Sequence, residues 1–205
     1  MWDPVELEVA ELSRRIAVNL FGAHDLAIGA AGDGLPWIGE LGRGELPFHS
    51  VALAYWLFGL GTNLGRGVMA LWGLLGIVSL QLLLREFGVR RAAWLSSFVL
   101  VGLPPYALQC RVTLGDAAAM GSGCLALAGV AMAVLHPTAR PSSLARWSWG
   151  ALGLLGALLA SWSRGPAFGA IVPALSVGAV WWATHRGGLR SADAWGLGAL
   201  LLGGA

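Results

Sequence analysis

The chain has 205 residues, 57% hydrophobic and 12% charged, whereas an ordinary soluble domain carries about 25% charged residues. A single water-soluble core cannot hide that much apolar surface. The formal net charge is +2, every basic residue is arginine, and no basic stripe is interleaved with aromatics, which excludes nucleic acid as a partner.

In chain order, the first feature is Asp3-Pro4-Val5-Glu6, two carboxylates three residues apart at a helix start. Proline suits a first helical turn. Asp3 is then an N-cap with Glu6 closing a capping box, or the two act as a general base or as oxygen ligands for a divalent cation. From Glu6 to Leu20 the spacing of Val9, Leu12, Ile16 and Leu20 predicts a partly amphipathic helix. The acidic stretch Asp3 to Glu11 begins almost at Met1, so no secretory leader is read there. A Gly-rich turn region, Gly29 to Gly44, follows. Phe48 to Leu60 is apolar and aromatic but too short to span, and reads as an interfacial or re-entrant helix with Tyr55 and Trp56 at headgroup level.

Beyond residue 66 the character changes, because crossing a bilayer takes about 20 apolar residues in helix. Uncharged runs of suitable length occur at 67–84, 92–110, 117–139, 147–163 and 165–185, and a truncated span starts at Ala194. Gly150, Gly153 and Gly156 read as helix-packing surfaces, since small residues let membrane helices approach closely. The expected fold is all-α: a polytopic transmembrane helical bundle (67–205) behind an extracytoplasmic N-terminal segment of amphipathic and interfacial helices (1–66). Arg85, Arg90, Arg91, Arg140, Arg146, Arg186 and Arg190 fall in alternate loops, against Arg111 and Arg164 in the others. Arginine marks the cytoplasmic side, so residues 1–66, 104–116 and 164–166 are expected outside.

Three polar features therefore share the outer side. Beside Asp3 and Glu6 stand Arg111 and Asp116, placed at the membrane edge by Pro104-Pro105. They form an interfacial salt bridge worth at most ~1 kcal/mol or a functional pair. Ser163-Arg164-Gly165-Pro166 holds a lone arginine at an outer turn, as a snorkelling anchor or a bidentate grip on phosphate. Cys110 and Cys124 read as small apolar residues in helices, and His24, His49, His136 and His185 show no metal-ligand spacing. Of these four only His49, beside the interfacial segment, joins the outer set.

Four stretches in this order resemble the membrane glycosyltransferases of the GT-C fold, and most closely glycosyltransferase family thirty-nine, with its protein O-mannosyltransferases and lipid A aminoarabinose transferase. Trp2-Asp3-Pro4-Val5-Glu6 through Arg14 looks like the first outer-loop motif, where an acidic pair opens a helix. Leu53 to Gly59, with Arg66, is similar to the membrane-edge segment, and Gln109 to Asp116 to the second outer loop. Ser163-Arg164-Gly165-Pro166 stands where many members have Thr-Lys-Gly-Pro. Val5 replaces the acid usual before the Glu, and Ser50-Val51-Ala52, with His49 one place earlier, replaces a Lys-Pro-Pro or His-Pro-Pro. The resemblance covers most of this chain but only the N-terminal part of a family protein, so the chain reads as a fragment.

The resemblance implies an enzyme of the bacterial inner membrane, active on its extracytoplasmic face, with a polyprenyl-phosphate-linked sugar as donor and a lipid, glycan or protein hydroxyl as acceptor. It gives the role of base to Asp3 or Glu6, and stabilisation of the departing phosphate to Arg164 and Arg111, with His49 also on the substrate. Asp116 would orient the acceptor or help hold a divalent metal ion. The competing expectation is a non-catalytic polytopic protein, such as a transporter half or an assembly subunit. A transporter is expected to show interrupted helices with polar groups at the bilayer midplane.

Overall fold

The structure, a computed structural model, describes residues 4–23, 25, 44–61, 63–112, 116–135 and 143–186. Asp3, His24, His136, most of the Gly-rich turn region, the run from Ala194 and the side chain of His185 lie outside the described residues. Eight α-helices are described: α1 Pro4–Phe21, α2 Leu46–Phe58, α3 Leu64–Glu86, α4 Arg90–Gly102, α5 Pro104–Arg111, α6 Ala117–Leu135, α7 Ser143–Arg164 and α8 Val172–Arg186. A π-helical turn, Ala167–Ile171, leads into α8. The described residues contain no strand.

The N-terminal helix follows its sequence closely. It starts at Pro4, whose missing N–H costs nothing in a first turn, and stops before Gly22, which takes φ +68°. Val9, Leu12 and Ile16 form the buried stripe, packed with Phe48, Val51, Ala52 and Tyr55 of α2. Two expectations need correction. Leu20 is 51% exposed; the stripe ends instead on Phe21, which packs against this core and stacks on Trp56 at 6.0 Å. Tyr55 is buried in the same core, so of the two aromatics only Trp56 is presented outward.

Two of the expected spans are long and apolar enough to cross a membrane as single helices, α3 (23 residues) and α6 (19 residues). The run at 92–110 is broken: α4 and α5 meet at Leu103 with a 67° bend, and make a third candidate only if the pair counts as one span. Pro104 and Pro105 cause the break. They hold Leu103 extended at ψ 117° and open α5 as its first residues. The run at 147–163 is α7, where Arg146, the serines and three tryptophans dilute an otherwise apolar helix. The run at 165–185 is divided by the π turn, leaving 15 residues to α8. A bundle of five full spans is thus a finer statement than this architecture carries.

Side-chain size is distributed in the reverse of a water-soluble protein. The buried face of α6 consists of Ala117, Ala118, Ala119, Gly121, Ser122, Ala126, Ala128, Gly129, Ala131 and Met132. Leu71, Trp94, Phe98, Leu144, Trp147, Leu154 and Leu175 are each more than 60% exposed. Small residues inside and large apolar residues outside is the arrangement expected where lipid, not water, is the solvent, and it points to membrane association.

The helix directions follow from these contacts. Met69 packs in the same cluster as Ala117, and Leu83 with Ala131 and Met132, so α3 and α6 run parallel. Gly129 faces Gly153 and Ala126 faces Gly156, so α7 returns antiparallel. Tyr106 of α5 donates its hydroxyl to the Gly73 carbonyl and ties the bent segment to α3. The starts of α3 and α6 and the end of α7 therefore lie at one end of the bundle; Arg85 and Arg146 lie at the other.

Candidate functional site

That first end carries two acid–arginine pairs that join separate elements. Glu6, only 4% exposed, accepts two hydrogen bonds from Arg66, at 2.7 Å from Nη2 and 3.3 Å from Nε. Sixty residues separate the partners, and the pair fastens the first turn of α1 to the first turn of α3. Glu6 thus reaches across the fold; the capping box read for it rests on Asp3, which lies outside the described residues. An adjacent pair stays within α1: Arg14 binds Glu11 through Nε at 2.8 Å and Nη2 at 2.5 Å.

The second pair brings together two of the outer loops. Arg164, the last residue of α7, donates through Nε to Asp116 Oδ1 at 3.2 Å and through Nη2 to Oδ2. Asp116 stands immediately before α6, and its backbone N–H donates to Gln109 Oε1 at 3.0 Å. The expected partner of Asp116 was Arg111; the structure pairs it with Arg164 instead. The reason is local. The chain leaves α5 extended at Val112, ψ 134°, and Gln109 holds the Asp116 backbone so that its carboxylate meets the end of α7. Arg111 is exposed and makes no ion pair among the described residues.

Arg164 is half-exposed, and its guanidinium lies 6.0 Å from the centre of the Phe168 ring. Asp116 takes Nε and Nη2, which leaves the Nη1 donors without a partner among the described residues. An arginine held in this way has a fixed orientation and spare hydrogen-bond donors.

His49 is also drawn in. Its ring packs on Trp162 with centroids 5.0 Å apart, and Nδ1 is 2.9 Å from the Glu45 backbone carbonyl oxygen. Trp162 in turn donates Nε1–H to Glu45 Oε2 at 3.0 Å. Gly44 permits this docking: a Cβ there would stand 1.7 Å from the Ser163 carbonyl oxygen. Sequence reasoning picked out His49 but missed Glu45, Trp162 and Gln109. The available signal was position alone, with Trp162 two residues before Arg164 and Glu45 four before His49.

Among the described residues, no group of three or more His, Cys, Asp and Glu could hold a metal ion. Glu6 and Asp116, the two described carboxylates offered for a cation, each bind an arginine.

One pH effect follows from α1. The hydrogen bond from Arg14, reinforced by the charges of Arg14 and Arg15 against some desolvation, holds the Glu11 carboxyl below its ordinary value of 4.5. A carboxylate depressed in the folded state stabilises fully above the unfolded value and loses that contribution as pH falls through the folded one. Melting temperature in detergent is therefore expected to fall as pH drops below about 4.5, and Glu11→Gln to shrink that fall by a small amount, as its half-exposed position dictates.

No protein-family model, curated protein or solved structure matches the chain.

Proposed function

We propose that this chain belongs to a membrane glycosyltransferase that moves a sugar from a polyprenyl-phosphate donor to an acceptor hydroxyl. The observation that supports this reading is the gathering of Asp116, Arg164 and Arg111, with Glu6–Arg66 and His49, at one end of helices otherwise nearly free of charge. Arginine bias favours the extracytoplasmic side for that end, and the family resemblance implies a bacterial inner membrane. A lipid-borne substrate presents its headgroup at that depth.

In the reaction the acceptor oxygen bonds to the anomeric carbon as the bond from that carbon to the phosphate oxygen breaks, with inversion. Negative charge grows on the departing polyprenyl phosphate. Arg164, oriented by Asp116 and retaining its Nη1 donors, meets that charge, and exposed Arg111 adds a second cation. Glu6 has both oxygens committed to Arg66, which suits it to fix α1 over the site. On the family resemblance the proton of the acceptor goes to Asp3.

The test is polyprenyl phosphate release from a panel of polyprenyl-phospho-sugars by the protein in lipid vesicles. Arg164→Ala is expected to lower turnover about 10²-fold, the usual loss for one donor to a developing oxyanion. Release from no donor by the folded wild-type protein would sink the reading.

One observation favours the transporter alternative: the α4–α5 break is an interrupted helix. Transporter sites put polar or ionisable groups at such breaks. Here the break is made of Leu103, Pro104 and Pro105, and the nearest ionisable side chains are Tyr106, bonded to a backbone carbonyl, and the thiol of Cys110. The charge lies at the bundle end, and the enzyme reading keeps the better fit.

A further inference from the structure

We infer that Gln109 is a positioning residue for the transfer step: acting through Asp116, it fixes where the Arg164 guanidinium stands as the phosphate departs. The inference deepens the glycosyl-transfer reading above and rests on it. Water reaches the side chains of both Arg164 and Asp116, and an ion pair open to solvent contributes little and holds no single geometry by itself. An Asp directly before a helix ordinarily turns its carboxylate back onto the N–H groups of the first turn. Asp116 does not; both its oxygens go to Arg164. The aim of the pair therefore depends on what holds the Asp116 backbone.

That backbone is held on both sides. Its carbonyl accepts from the Met120 N–H at 2.8 Å, the first bond of α6, and its N–H donates to Gln109 Oε1 at 3.0 Å. A backbone N–H only donates, so the contact needs an acceptor with the reach of Gln109. Gln109 is fixed in turn. Tyr106, three residues earlier and so on the same side of α5, donates its hydroxyl to the Gly73 carbonyl of α3. Hydrogen bonds thus link α3 to Tyr106, Gln109 to Asp116, and Asp116 to the last residue of α7. Phe168 of the π turn stands 6.0 Å from the guanidinium, and its ring lies against Gly123 of α6, where a Cβ would come 3.3 Å from it. Without the Gln109 acceptor the Asp116 backbone is freed, and the guanidinium moves with the carboxylate that orients it. A misplacement of about 1 Å at such a group costs on the order of 10²-fold in rate.

The experiment is a double-mutant cycle on polyprenyl phosphate release by the full chain in phospholipid vesicles, as wild type, Gln109→Met, Arg164→Ala and the two together. Gln109→Met keeps the reach of the side chain and removes the acceptor. It is expected to lower turnover about 10- to 10²-fold, and to lower it no further, within about twofold, once Arg164 is alanine. A merely structural role does not give that pattern, because a smaller folded fraction cuts the rate by the same factor in both backgrounds. Gln109→Glu, which keeps an oxygen for the Asp116 N–H, should retain more turnover than Gln109→Met. If the methionine variant fails to fold, Gln109→Asn, whose acceptor falls one methylene short, takes its place in the cycle. Equal losses in the two backgrounds, or a glutamate variant as slow as the one lacking the acceptor, overturn the role of Gln109 and leave glycosyl transfer standing. No release by wild type from any donor overturns both.

Discussion

Gly153→Leu is expected to separate α7 from α6 and lower the melting temperature of the detergent-solubilised protein, while Gly178→Ala raises it. A Cβ on Gly153 would lie 2.7 Å from the Val130 nitrogen and 2.9 Å from the Gly129 carbonyl carbon. The reciprocal position is tighter: a Cβ on Gly129 would lie 2.2 Å from the Gly153 nitrogen and 2.4 Å from its Cα. These neighbours are backbone atoms, which cannot swing aside as a long side chain can, so the helices themselves must part. Overpacking of this kind costs about 1–3 kcal/mol and sometimes more, and the gap extends the length of the interface, since Gly156 is pressed equally against Ala126.

The controls run the other way. Gly67 and Gly178 are helical and meet nothing within 4 Å. Alanine there gains helix propensity, up to about 1 kcal/mol, with no clash to offset it. Unfolding followed with a thiol-reactive dye on the free Cys110 and Cys124 measures the whole set. If Gly153→Leu and Gly178→Ala shifted the midpoint alike, the α6–α7 contact would not be the close backbone packing described here.

The same glycines show what the sequence made legible. Gly153 and Gly156 stand three apart in an apolar run, and that pattern alone identified a packing surface. The stripe Val9, Leu12, Ile16 was equally plain, because one helical period set it. Where the reading missed, the cause was tertiary. Leu20 fits the period but yields to Phe21, whose ring has Trp56 to stack on. Tyr55 and Trp56 are chemically alike at the sequence level, and only the approach of α1 decides that Tyr55 goes inside.

The candidate site shows the same division. Asp116 and Arg164 each stood out as charges between apolar runs, and local distance favoured Arg111 as the partner of Asp116. The sequence separation of 48 residues to Arg164 is closed only because α6 and α7 return side by side. Glu45 and Trp162 carry no signal in a single sequence beyond their position; a tryptophan at a helix end in a membrane protein is ordinary. Their meaning comes from their contact with each other and with His49.

The largest stability effect outside the helix interfaces is expected at Glu6 and Arg66. Arg66→Leu should destabilise the protein more than the double variant Glu6→Leu/Arg66→Leu does. The carboxylate of Glu6 is almost wholly withdrawn from solvent, and the two hydrogen bonds from Arg66 offset its loss of hydration. Removing the arginine strips a desolvated charge of two of its hydrogen bonds, which is costlier than removing the pair together, because leucines of similar reach bury without that penalty. Arg66 is itself 45% exposed, so water can reach the gap and soften the single variant without cancelling the difference. Both variants release the first turn of α1 from α3, so on the proposed glycosyl-transfer reading both are expected to slow polyprenyl phosphate release through the position of the N-terminal segment. Melting midpoints ordered single below double below wild type would place the pair as a buried tether across the site. A double variant no more stable than Arg66→Leu would mean that Glu6 is held by more than this guanidinium, and that the tether is not where α1 is fixed.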